Sequence, residues 1–139
     1  ELVGVRDGVQ FVNDSKGTNV GATVAALEGL ADGRNIILIA GGEGKGQAFA
    51  PLAKAASHRA KHTVLIGCDA VRIAEALDAT TPHTFAEDME AAVRTASDIA
   101  TSGDIVLLSP ACASLDMFAD YRARGDAFTA AVRDCEEVP

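Results

Sequence analysis

At 139 residues, 48% of them apolar, the chain is about one domain, long enough to bury a real core but too short for two substrate-binding units. A formal charge of −8 argues against a nucleic-acid surface, which needs Lys and Arg concentrated on one face. No apolar run approaches the roughly 20 residues of a membrane helix, so no membrane contact is expected.

The elements read off in order. Val3-Gly4-Val5 and Val9 to Val12 flank the polar turn Arg6-Asp7-Gly8, which predicts an antiparallel hairpin. Thr18 is the predicted N-cap of a helix to about Leu30, with Val20, Val24, Leu27 and Leu30 as its apolar stripe and Asp32-Gly33 ending it. Ile36 to Ala40 is a continuous apolar run, the mark of a strand buried on both faces, and Pro51 to about Ala60 reads as the helix crossing back. The pattern repeats: a strand from Thr63 to Gly67, a helix from Ala70 to Leu77, and a short strand near Thr84-Phe85. A helix from Asp88 to about Ala100, the turn Ser102-Gly103-Asp104 and the strand Ile105 to Leu108 follow. The tail predicts helix over Ser114 to Ala123 and again over Asp126 to Cys135.

Strands alternating with helices of this length imply one α/β domain over residues 1–139. The predicted architecture is a three-layer αβα, Rossmann-like sandwich, with a mostly parallel sheet of about six strands and the N-terminal hairpin at one edge. The chain opens on Glu1 and runs almost at once into a strand, so it reads as a piece of a longer protein.

Histidines and cysteines offer no ligand set. Cys68, Cys112 and Cys135 are odd in number, widely spaced and in no C-x-x-C pair. Reduced thiols in the cytoplasm fit them better than a disulfide framework or a zinc site. His58 and His62 are placed in a basic, solvated stretch ending a helix, and no metal ligands are assigned.

Chemistry concentrates instead in loops that follow apolar strands. Asn13-Asp14-Ser15-Lys16-Gly17-Thr18-Asn19 follows Val9 to Val12, Gly41-Gly42-Glu43-Gly44-Lys45-Gly46 follows Ile36 to Ile39, and Ser109-Pro110-Ala111-Cys112-Ala113-Ser114 follows Ile105 to Leu108. Ligands gather at the carboxyl ends of strands in open α/β sheets, so the three loops predict one anion-binding crevice. The glycine loop fits neither a P-loop nor G-x-G-x-x-G: Ile39 and Gly46 fill positions that need Gly and Ser or Thr, and Gln47 or Phe49 stands where a last glycine is required. Its feature is Lys45, a primary amine on a pliable loop. Lys16 is disfavoured by the dipole of the following helix unless an anion lies between them, and Cys112 reads as a small buried residue rather than a nucleophile.

Taken together, Asn13 to Val20, Gly41 to Gly46 and Leu108-Ser109-Pro110-Ala111-Cys112-Ala113-Ser114-Leu115-Asp116 resemble the C-terminal domain of the Mur ligases, in the branch that adds D-glutamate. The likeness spans essentially the whole chain, with Glu43 where the family commonly has Asp and Tyr121 where it often has Phe.

The resemblance implies ATP-dependent amide-bond formation in peptidoglycan precursor synthesis, in the cytoplasm. The carboxylate of UDP-N-acetylmuramoyl-L-alanine is phosphorylated and the amine of D-glutamate attacks the acyl phosphate. It implies that Lys45 and Thr18 hold the α-carboxylate of D-glutamate, and that Ser114 with the backbone around Leu115 and Tyr121 holds the side-chain carboxylate. Asn13 and Asp14 would meet the nucleotide, Asp14 at the ribose, and Lys16 the phosphates; Lys16 and Lys45 are the implied catalytic pair. The main ATP loop, the Mg2+ ligands and the UDP-sugar pocket would lie in preceding domains, which makes this chain alone inactive. The alternative reading is a stand-alone module that binds a small anionic metabolite without chemistry.

Overall fold

A computed structural model of the chain describes residues 1–77, 81–114 and 116–137. Its strands are β1 (Leu2–Arg6), β2 (Val9–Asn13), β3 (Ile36–Gly41), β4 (Ala60–Ile66), β5 (His83–Phe85) and β6 (Ile105–Leu108). The helices are α1 (Val20–Leu30), α2 (Ala50–Arg59), α3 (Ala70–Ala76), α4 (Met89–Ile99) and α5 (Tyr121–Glu137).

The six strands form one sheet in the order β1-β2-β6-β3-β4-β5, with only β1 and β2 antiparallel. The expected α/β sandwich is therefore present, hairpin at the edge. Strand alternation sorts its core into two layers. Ile36, Leu38 and Ala40 of β3 face Leu27, Leu52 and Ile73 of α1, α2 and α3, whereas Ile37 and Ile39 face Val93 and Phe128 of α4 and α5. Both faces of β3 and β6 are covered, which is why these strands read as unbroken apolar runs.

The strand order decides where the site lies. The connection through α1 carries the chain from β2 to β3 past one vacant position, and β6 later fills that position with pairing to both neighbours. The three strands that feed the polar loops are thus adjacent in space, although β6 is remote in sequence. Such a reversal of strand order is where ligands bind in open α/β sheets.

Several boundaries differ from the expectation. The N-cap of α1 is Asn19, not Thr18: Asn19 is extended and its Oδ1 accepts from Ala22 N–H at 2.9 Å, while Thr18 N–H closes a turn onto the Lys16 carbonyl at 2.8 Å. On the same helix Thr23 is buried and Leu30 is 39% exposed, because α1 ends against solvent beyond Leu27. Residues 116–120 form turns rather than helix, since the Ser114 carbonyl takes both Met117 N–H (3.0 Å) and Phe118 N–H (2.8 Å). Asp120 then accepts from Ala123 N–H at 2.8 Å, and one uninterrupted helix runs from Tyr121. His62 lies within β4 rather than at a helix end. It meets Thr84 Oγ1 of β5 at 2.8 Å, and burial followed by the nearby His83 lowers its pKa.

At the opposite end of the sheet Asp104 anchors the start of β6. Its carboxylate accepts from Lys61 Nζ at 2.7 Å, Thr101 N–H at 2.8 Å and Thr101 Oγ1 at 3.2 Å. Burial pushes this carboxyl up, but the Lys61 hydrogen bond and charge and the two Thr101 bonds outweigh it and hold the pKa below the usual value. A carboxyl whose folded pKa is depressed stabilises the fold above its unfolded value and loses that contribution as pH falls through the folded one. Asp104→Asn is therefore expected to lower the thermal midpoint at pH 7, with the gap to the parent chain closing as the buffer is taken below the carboxylate range. Unfolding curves from neutral pH to about pH 2 check this, and a gap that stays constant would contradict it.

Candidate functional site

The three loops are stitched together by their own backbones. Gly41 N–H donates to the Pro110 carbonyl at 2.9 Å, Ala111 N–H to the Gly17 carbonyl at 2.8 Å, and Glu43 and Ala113 exchange two bonds at 3.0 and 2.9 Å. Such close approach requires glycine: a Cβ at Gly41 would run into the Ile66 carbonyl and one at Gly42 into the Ala113 carbonyl. Both glycines also sit at positive φ, 129° and 130°.

The expected single crevice resolves into two recesses. Gly17 N–H bonds back to the Asp14 carbonyl at 2.8 Å, and this turn with the following one at Thr18 reverses the chain. Asn13, Asp14, Ser15 and Lys16 consequently face the start of α5, and Thr18 and Asn19 face the glycine loop.

The larger recess, about 670 Å³, holds Asn13, Asp14, Lys16 and Tyr121. Asn13 Oδ1 accepts from Ser15 N–H at 3.0 Å, and Asp14 Oδ2 accepts from the Ser109 hydroxyl at 2.8 Å. That hydroxyl is also 3.0 Å from Thr23 Oγ1, so Asp14 is oriented from beneath by the loop after β6 and by α1. Lys16 is exposed and Arg122 adds a second cation on the rim.

The smaller recess, about 190 Å³, is lined by Thr18, Asn19, Glu43, Gly44, Lys45 and Gln47. Gln47 N–H donates to the Gly44 carbonyl at 3.2 Å, and Lys45 and Gly46 between them have φ of 52° and 76°. Positive φ at both central residues is the signature of a type I′ turn. Lys45 thus occupies a left-handed conformation that costs a non-glycine residue about 1 kcal/mol. The turn projects an exposed ammonium at its tip. Gly44 N–H is in turn held by the Asp69 carboxylate at 2.6 Å.

Ser114 is buried directly after the Glu43–Ala113 pairing. Leu115 lies outside the described residues. Tyr121 lines the larger recess with Lys16 and is absent from the lining of the smaller one, so the structure groups Thr18 with Lys45 and Tyr121 with Lys16. Cys112 is fully buried and burial pushes its thiol up to about 12, which makes it a packing residue and not a nucleophile at neutral pH. Among the described residues no group of three or more His, Cys, Asp or Glu could hold a metal ion.

Two residues that shape the site, Arg124 and Gln47, carry no signal in the sequence. Arg124 is 1% exposed and spends its guanidinium on Ser15 Oγ (3.1 Å), the Ser15 carbonyl (2.9 Å) and the Cys112 carbonyl (2.8 Å). Gln47 and Ser109 likewise bridge loops. A buried arginine on α5 has no sequence signal, because Arg122, Arg124 and Arg133 share one acidic stretch and nothing in the spacing says which points inward.

An open α/β sheet with anion-ready loops at its carboxyl edge, meeting where strand order reverses, is the class of ligand-binding α/β domains. Within that class, a family model described as the Mur ligase, glutamate ligase domain, matches residues 1–112, and the chain belongs to this family. It is 55% identical over 135 residues to the UDP-N-acetylmuramoylalanine--D-glutamate ligase of Bordetella pertussis, covering 96% of the chain and 26% of that protein. The ligase of the same name from Burkholderia mallei is 56% identical over 135 residues, with 96% of the chain and 26% of the relative covered. That from Chromohalobacter salexigens is 53% identical over 131 residues, with 92% and 29% covered. The chain therefore spans about a quarter of the length of the curated relatives it matches.

Among solved structures, the fold is similar to the murein peptide ligase of Psychrobacter arcticus, with a TM-score of 0.68 at 14% identity, over 100% of this chain and 30% of that one. It is also similar to a domain from Haemophilus ducreyi assigned to a UDP-N-acetylmuramate:L-alanyl-gamma-D-glutamyl-diaminopimelate ligase, with a TM-score of 0.58 at 16% identity, over 94% and 98% of the two chains.

Proposed function

We propose that this chain is the C-terminal, amino-acid-binding domain of a longer three-domain enzyme that joins D-glutamate to UDP-N-acetylmuramoyl-L-alanine at the expense of ATP, in the cytoplasm. The observation that carries the reading is identity of 53 to 56% across nearly the whole chain to ligases of that name. The grouping of Thr18 with the Lys45 turn in one recess, beside a second recess with Lys16, supports it.

Each residue then has a task. D-glutamate carries two carboxylates and must present an amine free of competing contacts. Lys45 and Thr18 hold the α-carboxylate, and Ser114 with the backbone around Leu115 and Tyr121 takes the distal one, a charge-assisted pairing at separated points that fixes orientation. The turn tip brings Lys45 to the ligand as a compact cation on a flexible stem, which suits closure over a substrate. Holding the amine close to an activated carboxyl supplies the rate through positioning.

In the larger recess Asn13 and Asp14 meet the nucleotide, Asp14 at the ribose, and Lys16 meets phosphate charge that would otherwise repel the incoming carboxylates. Mg2+ supplies further neutralisation of phosphate charge when bound, and its ligands belong to other domains of the enzyme. An acidic domain that binds acidic ligands depends on local cations of this kind.

Amino-acid-dependent phosphate release by the full-length enzyme tests the proposal. The 139-residue chain by itself is expected to release none, and amide formation by the isolated chain would overturn the division of labour. A stand-alone metabolite-binding module is disfavoured by the relatives' length, about fourfold that of this chain.

A further inference from the structure

Gln47 occupies an unusual place between the loops. Its Oε1 accepts from Val20 N–H, the first helical amide of α1, at 3.0 Å, and its Nε2 donates to the Ala111 carbonyl at 2.6 Å. The two ends of one amide therefore meet a donor at the first residue of α1 and an acceptor on the loop after β6, while its own backbone closes the Lys45 turn onto Gly44. The side chain's orientation follows from those partners, since only the oxygen can accept and only the nitrogen can donate.

Both partners need what Gln47 provides. Val20 N–H is one of the amides at the start of α1 that no intrahelical carbonyl can reach, and the Asn19 cap is already committed to Ala22. Ala111 sits at a φ of 63°, a left-handed conformation that a β-carbon disfavours and that its neighbours must hold in place. The turn carrying Lys45 has an exposed tip and has its own strained residue. Its ties on the glycine-loop side come from Glu43 and Gly44, and beyond the tip it is Gln47 that ties it to the other loops.

We infer that Gln47 is a positioning residue that sets the Lys45 turn against Thr18 and the start of α1, and thereby fixes the width of the amino-acid recess. The inference rests on the proposed function for the identity of the ligand, but the bridge itself does not. Gln47 touches no reacting atom in this account. It acts through Lys45, whose ammonium would otherwise range over several turn conformations and lose affinity to the entropy of ordering.

The test is Gln47→Met in the full-length enzyme, a change that keeps length and bulk and removes both hydrogen bonds. The KM for D-glutamate is expected to rise about tenfold, because the ligand must then order the Lys45 turn that the two bonds held, with kcat and the KM for UDP-N-acetylmuramoyl-L-alanine within twofold of the parent. Hydrogen exchange read by mass spectrometry should quicken in peptides covering Val20 and Lys45 and stay unchanged over β3 and β4. Unchanged exchange at Val20, or equal rises in both KM values, would overturn the inference. An enzyme whose parent form uses another amino acid would refute the ligand and not the bridge, because the exchange comparison is independent of substrate.

Discussion

Replacing Lys45 by alanine in the full-length enzyme is expected to raise the KM for D-glutamate about 100-fold while leaving the KM for the UDP-linked substrate within a few-fold. The magnitude is that of a charged hydrogen-bond partner lost from a ligand carboxylate, roughly 1.5–3 kcal/mol. Alanine retains the Cβ and hence the left-handed strain at φ 52°, so the turn is not relaxed by the change and the effect isolates the ammonium. Lys45→Arg should recover part of the loss, limited by a planar fork that fits a carboxylate differently from a point charge. Steady-state kinetics with each substrate varied in turn decide the matter. Equal deterioration for both substrates would make the turn a structural element rather than part of a pocket.

Arg124→Leu is expected to destabilise the domain by about 3 kcal/mol, a fall in thermal midpoint of about 10 °C. Arg124 is buried with no carboxylate within ion-pair distance among the described residues, and its guanidinium serves two carbonyls and one hydroxyl. Removing it strands the Ser15 and Cys112 carbonyls in a dry interior, and each unsatisfied group costs about 1–3 kcal/mol. Relief from burying a charge offsets part of that cost, which burial already signals by lowering the pKa of Arg124. The loss has a direction as well as a size. Arg124 joins the loop with Lys16 to the loop with Ser114, so on the function proposed above the variant of the full-length enzyme should also bind ATP more weakly. Calorimetry of parent and variant checks the first claim, and a midpoint unchanged by Arg124→Leu would contradict it.

The sequence disclosed what rests on local chemistry and concealed what rests on arrangement. β3 and β6 were visible because strands covered on both faces must be apolar at every position. The hairpin was visible through Asp7-Gly8, whose positive φ values of 53° and 79° match the turn that the pair demands. The polar loops were visible because capping does not require a lysine. In contrast, the insertion of β6 between β2 and β3 leaves no trace in periodicity, so the adjacency of the loops could be guessed only from the habit of the fold class.

Adjacent candidates for one role produced the error at the start of α1. Thr18 and Asn19 are both good N-caps, and Asn19 takes the role because it is the extended residue whose carbonyl accepts from Thr23 N–H at 3.3 Å while its Oδ1 accepts from Ala22 N–H. The division into two recesses turns on Gly17, whose carbonyl accepts from Ala111 N–H at 2.8 Å and where a Cβ would run into the Ser109 hydroxyl, so it too depends on a distant loop. Arg124 and Gln47 were hidden for a further reason. Each is a long polar side chain whose partners are backbone atoms of distant loops, and backbone partners carry no residue identity to recognise.

The most direct measurement is phosphate release by the full-length enzyme given ATP, Mg2+ and UDP-N-acetylmuramoyl-L-alanine, with D-glutamate set against L-glutamate, D-alanine, diaminopimelate and L-lysine. Release is expected with D-glutamate alone, sharply reduced by Lys45→Ala at low D-glutamate and recovered at high concentration. Release supported by a different amino acid, or by none, would contradict the assignment of this domain as a D-glutamate pocket.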